Sequence, residues 1–509
     1  VCPATGRDDV HSVLSESGSV VVVAEDAAQV EKISGFPDLA EQIHTIVVLD
    51  PAGVELSDRV ISYETLKADG AAYLAEHPTA VDDSIASTNR DTLSTLIYTS
   101  GTTGRPKGVR LNHLSWVYEG AATKHLKELD ENDLQYLWLP LSHVFGKALI
   151  AVQLAYGFAS AVDGRIDKIV QNLGDVKPTF MCGAPRIFEK VRGAVMTGNT
   201  GLKAKIARWA FSVGYESIDD RLAGRELKGA LAVKYKIADK LVFSKLKERL
   251  GGRMRFMISG SAKLSPQVQR WFYGAGILIV EGYGATETSA IASLDLPEDP
   301  HFGSIGPVLP GMEAKLGDDG ELLLRGPIIT PGYHNLPEKT AAVLTEDGWY
   351  HTGDIAEISP EGIIRITDRK KDLFKTSGGK YVAPQKVESA IQANIPYIAQ
   401  SIAVGEGRKY VSALVVLDPV LLQKWADNHG HKGSYAELSQ RPEIKASIER
   451  QMQRVNDKLE RWETVKKFAI LDHELTVEND GVTANMKIRR SVVTDKYKDI
   501  VDGLYPTED

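Results

Sequence analysis

The segment Tyr98-Thr99-Ser100-Gly101-Thr102-Thr103-Gly104-Arg105-Pro106-Lys107-Gly108 constrains this chain more than any other. Between Ser100 and Gly108 it packs three glycines, three hydroxyl side chains and one lysine, directly behind the apolar run Leu93–Tyr98. A strand that empties into such a loop can aim backbone N–H groups and hydroxyls at phosphate oxygens, with Lys107 supplying a mobile positive charge. In open α/β sheets ligands collect at the carboxyl ends of strands, so the loop belongs in that kind of scaffold. It is not a Walker loop, because Arg105-Pro106 precede Lys107 and Gly108-Val109 follow it, where that motif requires Gly-Lys-Ser/Thr feeding a helix. Taken alone, the string is equally compatible with a flexible surface turn.

The rest of the chain carries the same α/β rhythm. Val20–Val23 and Ile46–Leu49 alternate with polar and helical stretches, and further strands are expected at Leu93–Tyr98, Leu134–Leu139, Thr179–Cys182 and Arg255–Ile258, largely parallel and buried. Residues 202–250 read as long helices with little Pro or Gly, while Glu321–Arg325 and Ile363–Thr367 read as strands of a more β-rich part. The character changes after Arg369-Lys370-Lys371-Asp372. Beyond it Ile444, Ile448, Met452, Val455, Leu459 and Trp462 recur at steps of three and four, which is one face of a helix in a small α+β core. At 509 residues the chain exceeds what one hydrophobic core supports. The expected division is 1–370 and 371–509.

Composition removes several classes. Apolar residues make up 43% and charged residues 25%, which fits a globular protein. No uncharged apolar run reaches the length of a spanning helix. Cys2 and Cys182 are too far apart in sequence to suggest a disulfide framework or a zinc site, and a reducing cytoplasm suits them. The net charge of −8 argues against a nucleic-acid partner. Residues 203–255 nonetheless hold 14 Lys/Arg against 6 Asp/Glu, with Trp209, Phe211 and Tyr215 among them. A solvated helical face is the favoured explanation, and contact with an anionic membrane, peripheral to the inner face, is the alternative.

Further motifs follow the first loop in a fixed order: Ser259-Gly260-Ser261-Ala262, then Glu281-Gly282-Tyr283-Gly284-Ala285-Thr286-Glu287-Thr288, then Tyr350-His351-Thr352-Gly353-Asp354, Asp368-Arg369-Lys370-Lys371, Thr376-Ser377-Gly378-Gly379-Lys380, and finally Ala484-Asn485-Met486-Lys487-Ile488-Arg489-Arg490. With the Tyr98–Gly108 string, this series resembles the adenylate-forming superfamily of acyl-CoA ligases, peptide-synthetase adenylation domains and luciferases. Leu139-Pro140-Leu141-Ser142-His143-Val144-Phe145, Ala184-Pro185-Arg186-Ile187-Phe188-Glu189-Lys190-Val191 and Asp239-Lys240-Leu241-Val242-Phe243 bring it closest to long-chain fatty acyl-CoA ligases, over essentially the whole chain. Elements that precede this region in relatives are absent, so the chain is expected to lack an N-terminal portion.

The resemblance implies an α/β fold with a large N-terminal domain of mixed and parallel sheets flanked by helices, a small β-barrel-like part, and a small mobile α+β C-terminal lid. ATP contacts are implied at Thr99, Ser100, Gly101, Thr102, Thr103, Gly104, Lys107, Gly260, Ser261, Ala262, Glu281, Gly282, Tyr283, Gly284, Asp354 and Arg369. Lys263 departs from the proline usual at its position. Tyr283 would flank the adenine and Thr286 meet the α-phosphate. Glu287, with the Ser100 hydroxyl, would hold Mg²⁺, and Asp354 would accept from both ribose hydroxyls, as an acceptor-only group can. Standing alone, Thr286 can simply start a helix, Asp354 reads first as a turn residue and Lys487 as part of a solvated basic face. In series, Lys487 becomes the catalytic lysine of adenylation, Lys371 the hinge, and Gly378, Gly379 and Lys380 the path of the CoA pantetheine. His143 is either a gate beside the acyl group or a satisfied, half-buried histidine.

The implied reaction is ATP-dependent activation of a long-chain fatty acid to acyl-AMP, with pyrophosphate release, followed by transfer to CoA. ATP, Mg²⁺ and CoA are the implied cofactors. Delivery to a carrier protein, a medium-chain or aromatic acid substrate, and a non-catalytic acyl- or nucleotide-binding scaffold are the alternatives. Oligomeric state is not legible.

Overall fold

The computed structural model describes residues 1, 5–99, 106–197, 201–476, 479, 481–482 and 488–505. Among them, the strands fall into separate sheets that follow the chain. β1 (Val21–Ala24), β2 (Thr45–Val48) and β3 (Val60–Ser62) form a small parallel sheet. β4 (Leu93–Thr99) and β5 (Lys107–Asn112) make an antiparallel hairpin with Thr99 opposite Lys107. Lys107 therefore stands on a strand, where the ladder fixes its backbone.

The centre of the molecule is a six-stranded sheet built from β6 (Leu134–Leu137), β7 (Ala159–Val162), β8 (Phe180–Gly183), β9 (Phe256–Ser259), β10 (Leu278–Tyr283) and β11 (Ser293–Leu294). Its order is β11-β10-β9-β8-β6-β7, parallel except for the β10/β11 pair. β8 begins one residue later than the sequence suggests, although the Thr179 backbone already bonds on both sides, its N–H donating to the Leu134 carbonyl at 2.9 Å and its carbonyl accepting from the Arg255 N–H at 2.7 Å. Its hydroxyl accepts from the Leu134 N–H at 2.8 Å and donates to Asp133 Oδ1 at 2.6 Å. One face of this sheet carries a core around Tyr136, Met181, Phe188, Phe211, Phe243, Met257, Trp271 and Phe272. Trp271 and Phe211 stack at 4.2 Å.

The expected long helices of 202–250 are broken. Gly201–Glu216 and Ile218–Leu222 end at Gly224, whose φ of +65° is the left-handed conformation that glycine adopts without strain. The chain resumes helically at Gly229–Ala238 and Ser244–Arg249, joined by a π-turn at Asp239–Phe243. No helix among the described residues is long and apolar enough to cross a membrane.

The β-rich part is an antiparallel sheet of β12 (Glu313–Leu316), β13 (Glu321–Arg325), β14 (Tyr350–Ile358) and β15 (Ile364–Arg369). A short hairpin follows, β16 (Phe374–Lys375) with β17 (Tyr381–Val382), and then the sheet of β18 (Ile398–Val404), β19 (Val411–Leu417) and β20 (Val465–Ile470). Two helices, Pro384–Asn394 and Pro442–Asn456, pack on that last sheet. Ile444, Ile448, Met452 and Val455 are buried as the periodicity requires. Leu459 and Trp462 lie beyond the helix, because the Asn456 amide bonds both backbone groups of Val465 and turns the chain into β20. The two cores touch where Gly193 meets the backbone of Pro396 and where Arg186 Nη2 approaches Glu474 Oε1 at 3.8 Å.

Candidate active site

A cavity of about 2770 Å³ opens at the carboxyl ends of β8, β9 and β10, bounded by the β4/β5 hairpin, by β14 and β15, and by residues 488–502 of the C-terminal core. It has a polar end and an apolar branch.

The polar end starts from the hairpin. Thr99 and Lys107 line it, and the Lys107 ammonium lies 4.9 Å from the centre of the Tyr333 ring. Burial, with Lys339 nearby, holds the pKa of that ammonium below its ordinary value, and Glu287 works in the opposite direction. The Tyr333 hydroxyl donates to Glu287 Oε1 at 2.7 Å. Glu287 sits on the single turn Thr286–Thr288 that follows β10, anchored by its own carbonyl, which accepts from the Thr330 N–H at 2.8 Å. Thr288, not Thr286, satisfies the start of this turn, its hydroxyl accepting from the Ala285 N–H at 2.8 Å. Thr286 is buried in the cavity wall. Gly284 is required here, since a Cβ would lie 1.7 Å from the Ala290 carbonyl oxygen. Ser100, Gly101, Thr102, Thr103 and Gly104 lie outside the described residues.

Beside this, β10 and β14 bring Tyr283 and Asp354 together, the phenol donating to Asp354 Oδ2 at 2.6 Å. Arg369, paired with Asp354 across the β14/β15 ladder, places its Nε 3.3 Å from Oδ1. Burial opposes the Arg369 charge, yet Asp354 and Asp372 overcome it and hold the guanidinium pKa above its usual value. Burial and the adjacent Asp354 push the Tyr283 phenol well up, so it remains a donor. A second tie was not legible in sequence. Glu321 accepts from the Gly353 N–H at 2.8 Å and from Lys370 Nζ at 3.0 Å, and its Oε2 lies 3.2 Å from His351 Nδ1. This carboxylate fixes the loop that presents Asp354 and, through Lys370, the approach to Lys371, which also lines the cavity.

Gly260, Ser261, Ala262 and Gly282 complete the wall at the strand ends. Ser261 adopts φ +69°. Lys263 turns inward and donates to the Ile366 carbonyl of β15 at 2.8 Å, so the loop after β9 is tied to the strand that carries Arg369. The Glu281 carboxyl is buried and accepts from the Leu264 N–H at 2.9 Å, which makes it a brace for the same loop. Burial raises its pKa to about 8.

The apolar branch runs along the helix Val144–Tyr156. Phe145, Leu149, Val152 and Tyr156 from that helix face Phe180 and Cys182 of β8, Phe256 and Ile258 of β9, and Ile291. His143 caps this helix, its Nδ1 accepting from the Phe145 N–H at 3.4 Å, and it lines the cavity where branch and polar end meet. Phe145 stands 2.8 Å from where a Cβ on Gly260 would be, so glycine lets the ring lie against the strand end.

Two groups of expected residues are not gathered here. Gly378, Gly379 and Lys380 form the turn of the β16/β17 hairpin and are not among the cavity-lining residues, and Lys380 lies over the Trp462 ring at 5.2 Å. Lys487 is outside the described residues, although Val482 and Ile488, which flank it in the chain, both line the cavity. Among the described residues no cluster of three His, Cys, Asp or Glu side chains is present to hold a metal. Glu287 is the described carboxylate placed beside Lys107, and one carboxylate suits Mg²⁺, which keeps waters and takes its remaining oxygens from phosphates.

Residues 1–334 match the AMP-binding enzyme family, and residues 371–509 match the AMP-binding enzyme C-terminal domain. The chain is similar to the putative fatty-acid–CoA ligase fadD11 of Mycobacterium tuberculosis, 36% identical over 81% of this chain and 74% of that protein. It is also similar to the long-chain-fatty-acid–CoA ligase FadD15 of the same organism, 31% identical over 99% of this chain and 83% of the relative. Among solved structures, the adenylation domain of a carboxylate reductase from Mycobacterium chelonae superposes with a TM-score of 0.69 at 22% identity, covering 98% of this chain and 75% of that one. The mixed α/β architecture with its large N-terminal and smaller C-terminal part is thus that of a known fold. This chain belongs to the AMP-binding enzyme family.

Proposed function

We propose that this protein activates a long-chain fatty acid with ATP, forming the acyl adenylate and releasing pyrophosphate, and then passes the acyl group to the thiol of CoA. The observation that carries this reading is the joining, in one cavity, of a polar end built on Lys107, Glu287, Asp354 and Arg369 to an apolar branch along the helix Val144–Tyr156. That branch spans about 18 Å at ~1.5 Å of rise per residue. An extended hydrocarbon with C–C bonds of ~1.5 Å at ~111° advances roughly 1.25 Å per carbon, so the branch matches about fourteen carbons. A medium-chain acid would leave part of it unfilled.

In the first half-reaction a carboxylate must approach the α-phosphorus of ATP, so the barrier is one of positioning and of like charge. Lys107 meets the departing phosphates, and the Asp354–Arg369 pair holds the ribose. Glu287 would hold Mg²⁺ with the Ser100 hydroxyl, and the ion when bound offsets charge on the phosphate oxygens. Thr286 contacts the α-phosphate, and Lys487 reaches the forming bond from the C-terminal domain, residues 371–509. In the second half-reaction that domain turns about Lys371 and brings the Gly378–Gly379 turn to the thiol path, with His143 at the gate.

We assign the basic helices of 203–255 to peripheral contact with anionic membrane. Val233, Ile237 and Leu241, spaced four apart, are 60%, 46% and 46% exposed, with Lys234, Lys240 and Lys245 also exposed on this stretch. An apolar stripe set among lysines is what an interfacial face carries, and it supports this assignment.

The test is pyrophosphate release over saturated free acids of increasing length, with and without CoA. Release is expected to peak with long chains, and AMP and acyl-CoA to accumulate only when CoA is present. Transfer to a phosphopantetheinyl carrier but not to CoA would replace the acceptor, and absence of acid-dependent release would remove the ligase reading.

A further inference from the structure

The apolar branch does not end in hydrocarbon. At its far end, one helix length from His143, the cavity is lined by Thr123, Leu126, Glu128, Leu129, Tyr156 and Pro297. This is the amino-terminal end of β8 and β9, opposite the nucleotide side of the sheet, because Arg255 immediately precedes β9. Arg255 Nη2 donates to the Glu128 carbonyl oxygen at 3.0 Å and so fixes the backbone of this residue against the sheet. The guanidinium's charge is committed elsewhere: Nη1 lies 2.7 and 2.6 Å from the two carboxylate oxygens of the buried Asp133. The Tyr156 hydroxyl is likewise occupied, donating to the Thr123 carbonyl at 2.5 Å. What remains at the tip of the branch is the half-buried Glu128 side chain. Burial and the neighbouring Glu298 raise its pKa to about 7, with Arg255 acting in the opposite sense.

A carboxyl group at the end of an apolar passage discriminates among chain ends. A terminal methyl offers it no hydrogen bond. A terminal carboxylate meets like charge from Glu298 and, above pH 7 where it is ionised, from Glu128, so the discrimination is read at pH 8. A terminal ammonium must first be stripped of water along the whole branch, which costs far more than stripping a hydroxyl. A terminal hydroxyl can donate to the carboxylate at modest desolvation cost. We infer that Glu128 is a specificity-determining residue that accepts a hydrogen bond from an acyl chain carrying a hydroxyl at its far end, so that ω-hydroxylated long-chain acids are a preferred substrate class. The inference rests on the ligase reading of the same cavity and deepens it.

The experiment compares kcat/KM for pyrophosphate release with three acids of matched length, ending in methyl, hydroxyl or carboxyl, in the wild type, Glu128→Gln and Glu128→Leu. Thermal melts of all three proteins show whether each is folded. In the wild type the hydroxyl acid is expected to lead the methyl acid, and in Glu128→Leu that ratio falls about tenfold, the scale of one hydrogen bond to a charged group. Glu128→Gln keeps an acceptor and loses the charge, so it retains most of the hydroxyl preference while accepting the ω-carboxyl acid several-fold better. Turnover with ratios that do not move among the three folded enzymes overturns this inference alone. Turnover of none of the acids by the wild type overturns the ligase reading and this one with it.

Discussion

Tyr333 donates its hydroxyl hydrogen to Glu287 Oε1 at 2.7 Å while its ring lies under the Lys107 ammonium at 4.9 Å. One aromatic side chain thus spaces the cation on the hairpin from the carboxylate on the turn after β10, and keeps them from collapsing into a direct ion pair. Replacing Tyr333 with Phe keeps the spacer and removes the bond to the charged oxygen, a loss on the order of 1.5–3 kcal/mol. Acid-dependent pyrophosphate exchange is expected to fall roughly tenfold or more, and Tyr333→Ala further. An unchanged exchange rate in Tyr333→Phe would mean that this bond does not position Glu287.

Asp354 receives the Tyr283 phenol and the Arg369 guanidinium, and an incoming pair of ribose hydroxyls would compete for the same two oxygens. Asp354→Asn exchanges one acceptor oxygen for a donor. The wild type is expected to favour ATP over 2′-deoxy-ATP in kcat/KM, and the variant to show most of that preference erased, together with a raised KM for ATP. Equal discrimination by both proteins would place the ribose elsewhere.

Glu281 makes stability depend on pH. Its folded pKa of about 8 lies above the ordinary carboxylate range, so the native state holds a proton that the unfolded chain releases. Stability is greatest below the unfolded pKa and declines as pH rises toward 8. Asp295 and Glu189, both raised to about 7 by burial, contribute to the lower part of that decline. Between pH 7 and 8 Glu281 shares the slope with Glu119, whose carboxyl burial also holds well above its ordinary value, and Glu281→Gln, which keeps an acceptor for the Leu264 N–H, should make the slope shallower in thermal melts. A slope as steep as in the wild type would assign the titration to another group.

Lys487→Ala is expected to abolish adenylate formation and to leave thioesterification of a supplied acyl adenylate largely intact. Single-turnover assays of each half-reaction separate the two. Equal loss of both, in a folded variant, would contradict the division of labour between the ends of the C-terminal domain.

Co-sedimentation with vesicles of zwitterionic lipid, with and without an anionic component, tests the face carrying Val233, Ile237 and Leu241. Binding should require the anionic lipid, weaken with salt, and drop several-fold when the three residues are changed to Ser. Indifference to lipid charge would remove the membrane assignment, and a change in oligomeric state in the Ser variant would assign the stripe to a second copy of the chain.

That Gly284, Lys107 and Asp354 would meet at one end of the cavity was readable because each stands in a short contiguous string whose backbone does much of the work: Gly284 under the Ala290 carbonyl, Lys107 at the foot of a hairpin, Asp354 at a glycine turn. Tyr333 was not, since it reaches Glu287 from a separate loop after Thr330-Pro331-Gly332, and nothing in a lone Tyr announces a partner 46 residues away. Glu321 and Lys263 escaped for a related reason. Their sequences look like an ordinary strand residue and a substituted proline, and their roles exist only once β13, β14 and β15 are laid side by side. Among the secondary structure, the helix that begins at Pro442 stopped where Asn456 captured Val465, a tertiary event to which periodicity is blind.

The contact between Gly193 and Pro396 has a use in the laboratory. At that seam the two cores approach so closely that a single methyl on Gly193 would come within 2.9 Å of the Pro396 carbonyl oxygen and 3.3 Å of Leu421. A joint that shuts because one side chain is missing can be wedged by restoring it. Gly193→Ala, or a larger residue for a wider wedge, offers a graded series of spacers for holding the two halves apart while leaving every residue of the cavity wall unchanged.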